Sequence, residues 1–380
     1  MSATPRREWI DDTRRIVVKI GSRILVDEQP RRAPGLDECQ VASLVDQMAG
    51  LRATGREVIC VTSGAVAAGV GELGLTTRPR DLPSLQAAAA AGQARLIGLY
   101  RDLFAKHDLT VGQVLLTHAD LAARERHLNA RNTLGRLLAG GVVPIINEND
   151  TVAVDEIRVG DNDLLSGLVA CLMRADLLVL LTNVDGLLDR SGGDGPDQLV
   201  ANVKQITDET FAMAGPAESP LTTGGMKSKL QAAQMVTRAG EWAIIANGRT
   251  PDVLTRIFAG EPLGTVFEPG PQRLGGRKRW IAFFDHPRGE LHVDAGAATA
   301  ICEQGRSLLP VGMQRVAGDF DRGAVVRIVD PAGMEIARGL VNFTSGELRR
   351  LVGRRTDEIA AVLGACEYEE VVHRDNLVVR

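Results

Sequence analysis

The chain has 380 residues, of which 44% are hydrophobic, so it is long enough to bury the cores of two domains rather than one. Its formal net charge of −4 and aromatic content of 3% argue against nucleic acid as the main ligand. Its five scattered cysteines form no CxxC pair, and no run of about eighteen apolar residues occurs, so we expect a cytoplasmic protein without a structural zinc site or a membrane span.

Strand and helix patterns alternate along the first two thirds of the chain. Short apolar, β-branched runs predict strands at 16–20, 58–61, 111–116, 142–146, 177–181 and 242–248. Longer periodic segments predict helices at 37–54, 84–106, 120–139, 163–174, 226–239 and 251–259. Such alternation indicates a mostly parallel sheet covered by helices on both faces.

Two strand-to-turn junctions near the N-terminus are suited to holding an anion. Lys19 lies near the end of the strand 16–20, just before a Gly-Ser turn, although an edge-strand lysine that only reaches water is an alternative. The strand 58–61 runs into the small residues 62–65 and an Ala-rich helix. Small residues at such a turn let backbone N–H groups approach an anion at the helix N-terminus.

A G-x-G-x-x-G pattern at Gly69, Gly71 and Gly74 is not interpreted as a dinucleotide site. The glycines of that fingerprint open the helix directly after the strand, and an acidic residue follows about twenty residues later. Here the glycines come several residues late, and no Asp or Glu occurs between Asp81 and Asp102. We therefore expect them to mark the end of a helix and a loop.

The densest polar grouping flanks the predicted strand 142–146. The strand ends abruptly in Asn-Glu-Asn-Asp at 147–150, and a second polar group, Gly-Asp-Asn-Asp at 160–163, precedes an apolar helix. Carboxylates and amides at the carboxyl end of a buried strand are costly without partners, and ligands bind at that edge of open α/β sheets. The alternative is a pair of Asn/Asp turns with a helix N-cap.

A flexible Thr-Thr-Gly-Gly segment at 222–225 precedes the predicted helix 226–239. Lys227 and Lys229 fall in its first turn, where cations oppose the helix dipole, so a bound anion would explain them. The segment contains no Walker A motif. Only six of the 44 basic residues are lysines, which adds weight to lysines found at such places.

The C-terminal part of the chain changes character. Short strands and turns with two helical segments predict a small β-rich module at 285–380, after a catalytic domain at 1–265 and a Pro- and Gly-rich linker at 266–284. Its Arg clusters are interpreted as solvated faces, with phosphate contacts as the alternative.

Several motifs in order resemble the bacterial glutamate 5-kinases, a branch of the amino-acid kinase family. The motifs are IVVKIGS (16–22), VTSGAVAAG (61–69), INENDTVA (146–153), VGDND (159–163), LVLLTNVDGL (178–187) and TGGMKSKLQAA (223–233). The tail resembles a PUA domain, through GMQRVAGDFDRGAVV (312–326) and VVHRDN (371–376). The implied fold is a three-layer αβα sandwich with a mostly parallel central sheet, followed by the PUA-like module.

The resemblance implies transfer of phosphate from ATP to the γ-carboxylate of L-glutamate, giving L-glutamyl 5-phosphate, the first step of proline biosynthesis. It also implies Mg²⁺ brought in on the ATP phosphates, feedback inhibition by L-proline and a homo-oligomer, a dimer or a tetramer. RNA binding through the tail is not expected. Since a γ-carboxylate is already ionised at neutral pH, no general base is required.

The resemblance also implies roles for particular residues. Lys19 and Lys229 contact the transferring phosphoryl group, and Asp163 orients both lysines. The side chains implied to hold glutamate are Ser63, Asn147, Asp150 and Asn162. The residues implied to line the nucleotide are Lys19, Thr182, Asn183, Thr223, Gly224, Gly225, Met226, Lys227, Ser228 and Lys229.

The sequence departs from the family pattern at two places. Asn183 stands where an Asp is common, and Lys227-Ser228 replaces a Ser-Thr pair, so a third lysine enters the phosphate loop. We favour Lys229 over Lys227 as the phosphate contact because of its spacing from Gly225. Two alternative functions remain: a sibling kinase acting on carbamate, aspartate, acetylglutamate or a nucleotide, and an RNA-binding protein acting through the tail.

Overall fold

The computed structural model describes residues 6–27, 35–152, 162–189, 197–215, 225–271, 273–284, 286–364 and 368–380. The chain divides into two compact units, Met1–Arg273 and Leu274–Arg380. The division falls within the expected linker 266–284, while the exact domain bounds stay a prediction. Among the described residues no helix is long and apolar enough to cross a membrane.

The N-terminal unit is built on a sheet to which the described residues contribute eight strands, in the order β6-β8-β7-β5-β1-β2-β4-β3. The strands are β1 (Arg15–Ile20), β2 (Glu57–Val61), β3 (Val111–Leu116), β4 (Val143–Glu148), β5 (Leu177–Thr182), β6 (Asn202–Val203), β7 (Trp242–Asn247) and β8 (Thr265–Phe267). Six are mutually parallel, and β8 runs antiparallel to β7 with β6 parallel to β8. The predicted mostly parallel sheet is confirmed. The short β6 and β8 were not predicted, because two or three residues carry no readable periodicity.

Helices lie on both faces of this sheet. Their bounds are α1 (Arg6–Asp11), α2 (Ser22–Leu25), α3 (Glu38–Ala53), α4 (Ala65–Glu72), α5 (Leu82–Ala105), α6 (His118–Ala122), α7 (Arg124–Ala139), α8 (Asn162–Met173), α9 (Asp208–Ala212), α10 (Met226–Arg238) and α11 (Val253–Phe258). Ile16, Val18 and Ile20 of β1 share one core with α3, α5 and α11. The alternate residues of β1 face the other layer, where α8 and α10 contact the central strands. Lys19 is one of these alternate residues, so strand periodicity directs it toward α8.

The helices α4 and α5 approach each other at backbone distance. A Cβ atom added to Gly69 would lie 1.7 Å from the carbonyl oxygen of Ala88, and one added to Gly92 would lie 1.8 Å from that of Ala65. Gly69 is thus a helix-packing residue inside α4, which ends at Glu72, and Gly74 lies beyond that helix end with a φ of 63°. Glycine is required on both helices because any larger residue would push them apart.

The C-terminal unit has its own sheet, in the order β10-β9-β11-β12-β13. Its strands are β9 (Glu290–Val293), β10 (Met313–Ala317), β11 (Val325–Val329), β12 (Glu335–Leu340) and β13 (Leu377–Val379). Its helices are α12 (Gly276–Arg279), α13 (Ala295–Cys302), α14 (Ser345–Leu351) and α15 (Ile359–Leu363). A separate apolar core fills this unit, which confirms the predicted β-rich module.

Candidate active site

The carboxyl ends of the parallel strands meet at one edge of the N-terminal sheet. Lys19 of β1 is in register with Val61 of β2 on one side and with Leu180 of β5 on the other. Val61 is in turn in register with Ile146 of β4. The polar residues that follow these strands are therefore brought to the same level of the sheet, although the strands come from four separate parts of the chain.

A buried ion-pair cluster lies at this edge. Lys19 Nζ is 2.6 Å from Asp163 Oδ1, and Lys229 Nζ is 3.0 Å from Asp163 Oδ2. Asp163 is fully buried, and both lysines are 5% exposed. The helices α8 and α10 pack against each other, which brings Asp163 and Lys229 together from positions 66 residues apart. The structure thus brings together all three residues predicted for phosphoryl transfer.

The charge balance of this cluster is positive. Burial alone would raise the pKa of Asp163, but the charges and hydrogen bonds of Lys19 and Lys229 outweigh it and hold that pKa well below its ordinary value. Asp163 is therefore ionised at neutral pH. Among these three side chains two ammonium groups face one carboxylate, an arrangement suited to a further anion such as a phosphoryl group.

The first turn of α10 distinguishes its two lysines. Lys227 is exposed, whereas Lys229 is buried against Asp163. Two positions along a helix correspond to about 200° of rotation, so the side chains leave α10 on opposite sides. Ser228 Oγ lies 2.8 Å from Asp163 Oδ2 and 2.9 Å from the carbonyl oxygen of Gly225, within donating distance of both.

A second group of polar side chains lies beside the lysines. Asn162 precedes Asp163 directly, and its Nδ2 donates to Ser63 Oγ and to Asn147 Oδ1, both at 3.1 Å. Asn147 Nδ2 donates to Oε1 of Gln93 on α5, at 2.7 Å. The structure therefore joins three of the four residues predicted to hold glutamate. Nothing in the sequence marks Gln93, which lies in an Ala-rich helix without a motif.

Asp150 follows β4 at the same edge and is half-buried. Burial raises its pKa to about 6, because the positive charge of Arg78 offsets only part of the cost of removing the carboxylate from water. A carboxylate held in this state gains from a cationic partner, and a substrate ammonium group would supply one.

The end of β5 and the start of α10 form the predicted nucleotide side. Thr182 is buried and Asn183 is exposed, and the carbonyl oxygen of Thr182 accepts from Gly248 N at 2.8 Å. Gly225 is the N-cap of α10, which begins at Met226. The predicted contacts Thr223 and Gly224 lie outside the described residues.

The donors at this site suit phosphate better than a bare metal ion. Both oxygens of Asp163 face lysine ammonium groups. Among the residues that the structure describes, no group of three or more His, Cys, Asp and Glu side chains could hold a metal ion. That Mg²⁺ arrives on the ATP phosphates stays a prediction, and the excess positive charge fits such a complex.

Comparisons with known proteins agree with this geometry. The model of the amino acid kinase family matches residues 14–247, and the model of the PUA domain matches residues 289–363. The chain is 50% identical over 371 residues to the protein named Glutamate 5-kinase from Moorella thermoacetica, and the match covers 97% of each chain. It is 49% identical over 376 residues to the protein of that name from Thioalkalivibrio sulfidiphilus, and the match covers 99% of each chain.

These matches run through both units and include the strand ends, α8 and α10, where the buried cluster lies. The chain therefore belongs to the amino acid kinase family, with a C-terminal PUA domain, in the branch formed by its full-length relatives named glutamate 5-kinase.

Proposed function

We propose that the protein transfers the γ-phosphoryl group of ATP to the γ-carboxylate of L-glutamate, giving L-glutamyl 5-phosphate and ADP. The observation that carries the proposal is the buried cluster of Lys19, Lys229 and Asp163 beside the amides of Asn147 and Asn162. The full-length relatives named Glutamate 5-kinase support the same activity and its place at the start of proline biosynthesis.

The reaction needs charge and alignment rather than a base. An oxygen of the ionised γ-carboxylate forms a bond to the γ-phosphorus, while the bond between that phosphorus and the bridging oxygen breaks. Its electron pair leaves with ADP, and no proton is transferred in this step. The main obstacle is repulsion between the carboxylate and the triphosphate, which positive charge at the transfer centre reduces.

Lys19 and Lys229 supply that charge from two different elements, β1 and α10. Asp163 contacts both ammonium groups and so holds them in a fixed arrangement before ATP binds. A preorganised charge costs no rearrangement when negative charge shifts during transfer. Mg²⁺ bound to ATP would further neutralise the phosphates. On the acceptor side, Ser63, Asn162 and Asp150 would align glutamate.

An assay of ADP release tests the proposal. The purified protein is given ATP, Mg²⁺ and, one at a time, glutamate, aspartate, acetylglutamate, carbamate or UMP. We expect turnover with glutamate well above turnover with every other acceptor, because the acceptor side combines amides with the carboxylate of Asp150. Turnover that depends on one of the other acceptors, with none on glutamate, would replace this proposal with the sibling kinase.

Regulation and assembly are tested on the same purified protein. We propose inhibition by L-proline, a homo-oligomer and a cytoplasmic location, which the resemblance of the motifs to the glutamate 5-kinases implies. Proline added to the glutamate reaction should lower ADP release, and light scattering should give a mass above that of one 40.6 kDa chain. Unchanged rates or a monomeric mass would exclude the corresponding part.

A further inference from the structure

Three amide side chains form a hydrogen-bond chain with one direction, and Ser63 accepts from the last of them. Gln93 Oε1 accepts from Asn147 Nδ2, and Asn147 Oδ1 accepts from Asn162 Nδ2. Asn162 Nδ2 also donates to Ser63 Oγ. Within this chain Asn147 donates to one neighbour and accepts from the other, whereas Gln93 only accepts and Asn162 only donates.

This direction has a defined reverse. If Gln93 turned its amide and donated instead, Asn147 would accept from Gln93 and donate to Asn162, whose Oδ1 would then accept. An Asn or Gln amide has an oxygen that accepts and a nitrogen that donates, so turning the first amide obliges the others to turn. The orientation of Gln93, at the end of the chain, therefore decides which atom of Asn162 bonds to Asn147 and which atom stays available to a ligand.

Helix packing places Gln93 at the end of this chain. Its neighbour Gly92 contacts the backbone of Ala65, at the start of α4, so closely that a Cβ would lie 1.8 Å from the Ala65 carbonyl oxygen. The turn that carries Ser63 leads directly into α4. The α5 helix is therefore held against the turn that carries Ser63, one end of the hydrogen-bond chain, while Gln93, the other end, bonds to Asn147 on β4.

The observed direction leaves one buried acceptor without a partner. Asn162 is 9% exposed, and its Oδ1 is buried and has no hydrogen-bond partner among the described residues. A buried acceptor left unpaired costs free energy, and a ligand that donates to it recovers that cost. At neutral pH both carboxylates of glutamate are ionised and only accept. The ammonium group is the only donor that the substrate offers.

We propose that Gln93 is a positioning residue that sets the direction of the Gln93–Asn147–Asn162 chain, so that Asn162 Oδ1 accepts from the substrate ammonium group. Gln93 selects for an α-amino group without itself contacting the substrate. This inference rests on the proposed function, since the ammonium group belongs to glutamate.

The test compares two substitutions of Gln93 that are similar in size. Gln93→Met removes the acceptor, whereas Gln93→Glu keeps an acceptor that cannot turn into a donor. The measured quantity is the ratio of the inhibition constant of glutarate, which lacks the amino group, to the KM of glutamate. We expect Gln93→Met to lower this ratio about 10-fold or more, because a hydrogen bond to a charged group is lost. Gln93→Glu should leave the ratio near that of the parent protein.

A general structural role of Gln93 would raise the glutamate KM and the glutarate inhibition constant together and leave the ratio unchanged. An unchanged ratio in Gln93→Met, or an equal fall in Gln93→Glu, overturns the inference while the proposed function stands. The KM of ATP should match the parent in both variants. Gln93→Met should lower the melting temperature, because the buried Asn147 Nδ2 loses its acceptor, and circular dichroism verifies that it still folds. If the parent protein shows no turnover with glutamate, the proposed function fails and this inference fails with it.

Discussion

At the scale of single residues, the two lysines of α10 carry the same charge but differ in burial. Lys229 is 5% exposed and lies 3.0 Å from Asp163, whereas Lys227 is exposed. A cation in a water-poor site stabilises developing negative charge far better than one surrounded by water. We therefore expect their contributions to catalysis to differ strongly.

Substituting these lysines tests that difference. Lys229→Ala and Lys19→Ala should each lower kcat by about 10²–10³, the effect typical of removing one donor that stabilises transition-state charge. Lys227→Ala is the matched control and should keep kcat near the parent value. The kcat of each variant is measured with saturating ATP and glutamate, with circular dichroism to verify folding. Near-normal kcat in Lys229→Ala would refute the assignment.

Asp163 holds two buried cations, so its charge is expected to matter for stability. Asp163→Asn keeps the shape but removes the carboxylate that both lysines contact, which should lower the free energy of unfolding by about 3–5 kcal/mol. Urea unfolding at pH 7 measures this difference. Asp102→Asn, which removes one partner of an exposed ion pair, should leave the unfolding midpoint unchanged.

The difference in unfolding free energy between Asp163→Asn and the parent protein has a pH dependence that follows from the lowered pKa of Asp163. A carboxyl group whose folded pKa is depressed contributes stability that is fully present above its unfolded pKa of about 3.9. That contribution is lost only as pH falls toward the folded pKa. The gap between Asp163→Asn and the parent should therefore be constant between pH 5 and 8. A gap that closes within this range would contradict the ion-pair account.

Asp150 is expected to make glutamate binding depend on pH. Its pKa is raised to about 6 by burial, so in the free protein it becomes protonated as pH falls below about 6. The substrate ammonium group favours the ionised form, so the KM of glutamate should rise as pH drops, approaching about 10-fold per pH unit. The KM is measured between pH 5 and 8 with saturating ATP.

Replacing Asp150 provides the control for that titration. Asp150→Asn and Asp150→Ala should show a strongly raised KM of glutamate that is flat across the same pH range. Because the glutamate γ-carboxyl group stays mostly ionised above pH 5, a remaining slope would come from another group. Parallel pH curves in the parent and the Asn variant would rule out the role of Asp150.

At the scale of secondary-structure elements, the pairing of α4 and α5 positions the acceptor side of the site. Gly69 and Gly92 allow the two helices to touch backbone to backbone. This contact aligns the turn at Ser63 with Gln93, and β4 completes the hydrogen-bond chain through Asn147. Movement of α5 is therefore expected to disturb glutamate binding before it disturbs the lysine cluster.

Two glycines of α5 make a matched pair for testing this contact. Gly92→Ala places a methyl group 1.8 Å from a carbonyl oxygen, so it should destabilise the protein by about 1–3 kcal/mol and raise the KM of glutamate. A Cβ atom added to Gly98 would meet no other atom within 4 Å, so Gly98→Ala should stabilise the helix by about 0.5–1 kcal/mol. Urea unfolding and glutamate titrations measure both effects. Equal stability in the two variants would contradict the close approach.

At the scale of the whole molecule, the two units have separate cores. The described core residues around β1 run from Trp9 to Val266, and those of the C-terminal unit run from Leu291 to Leu377. Every described residue assigned to the active site belongs to the first unit. The chemistry of phosphoryl transfer is therefore expected to reside in that unit.

Removal of the C-terminal unit tests this separation. A chain ending at Arg273 should keep glutamate-dependent ADP release, because it retains the sheet, the lysine cluster and the amide chain. Arg273 belongs in this shortened chain, since it pairs with Asp176 at 3.0 Å and with the buried Glu241 at 3.2 Å. ADP release and thermal unfolding are measured on the purified chain.

A chain ending at Pro271 is the matched control. It loses Arg273 and leaves Glu241 with one fewer positive partner, so it should unfold at a lower temperature than the chain ending at Arg273. Absence of turnover in a folded chain ending at Arg273 would show that the C-terminal unit takes part in the reaction.

The sequence by itself determined the six parallel strands of the N-terminal sheet, most helices and the residue types at the strand ends. Hydrophobic periodicity is local, so the run at 142–146 and the polar groups flanking it are visible without the fold. The order of the motifs also indicates the resemblance to the amino-acid kinases. The match of the family model to residues 14–247 confirms this resemblance. The same motifs indicate Lys19, Asp163 and Lys229 as the residues of phosphoryl transfer.

Only the tertiary structure decided how those residues are used. The choice of Lys229 over Lys227 depends on which side of α10 faces α8, and the raised pKa of Asp150 depends on burial. Gln93 becomes visible only through its bond to Asn147, 54 residues away. Contacts between distant segments and the loss of water around a charge depend on packing in three dimensions, which no local pattern of residues encodes.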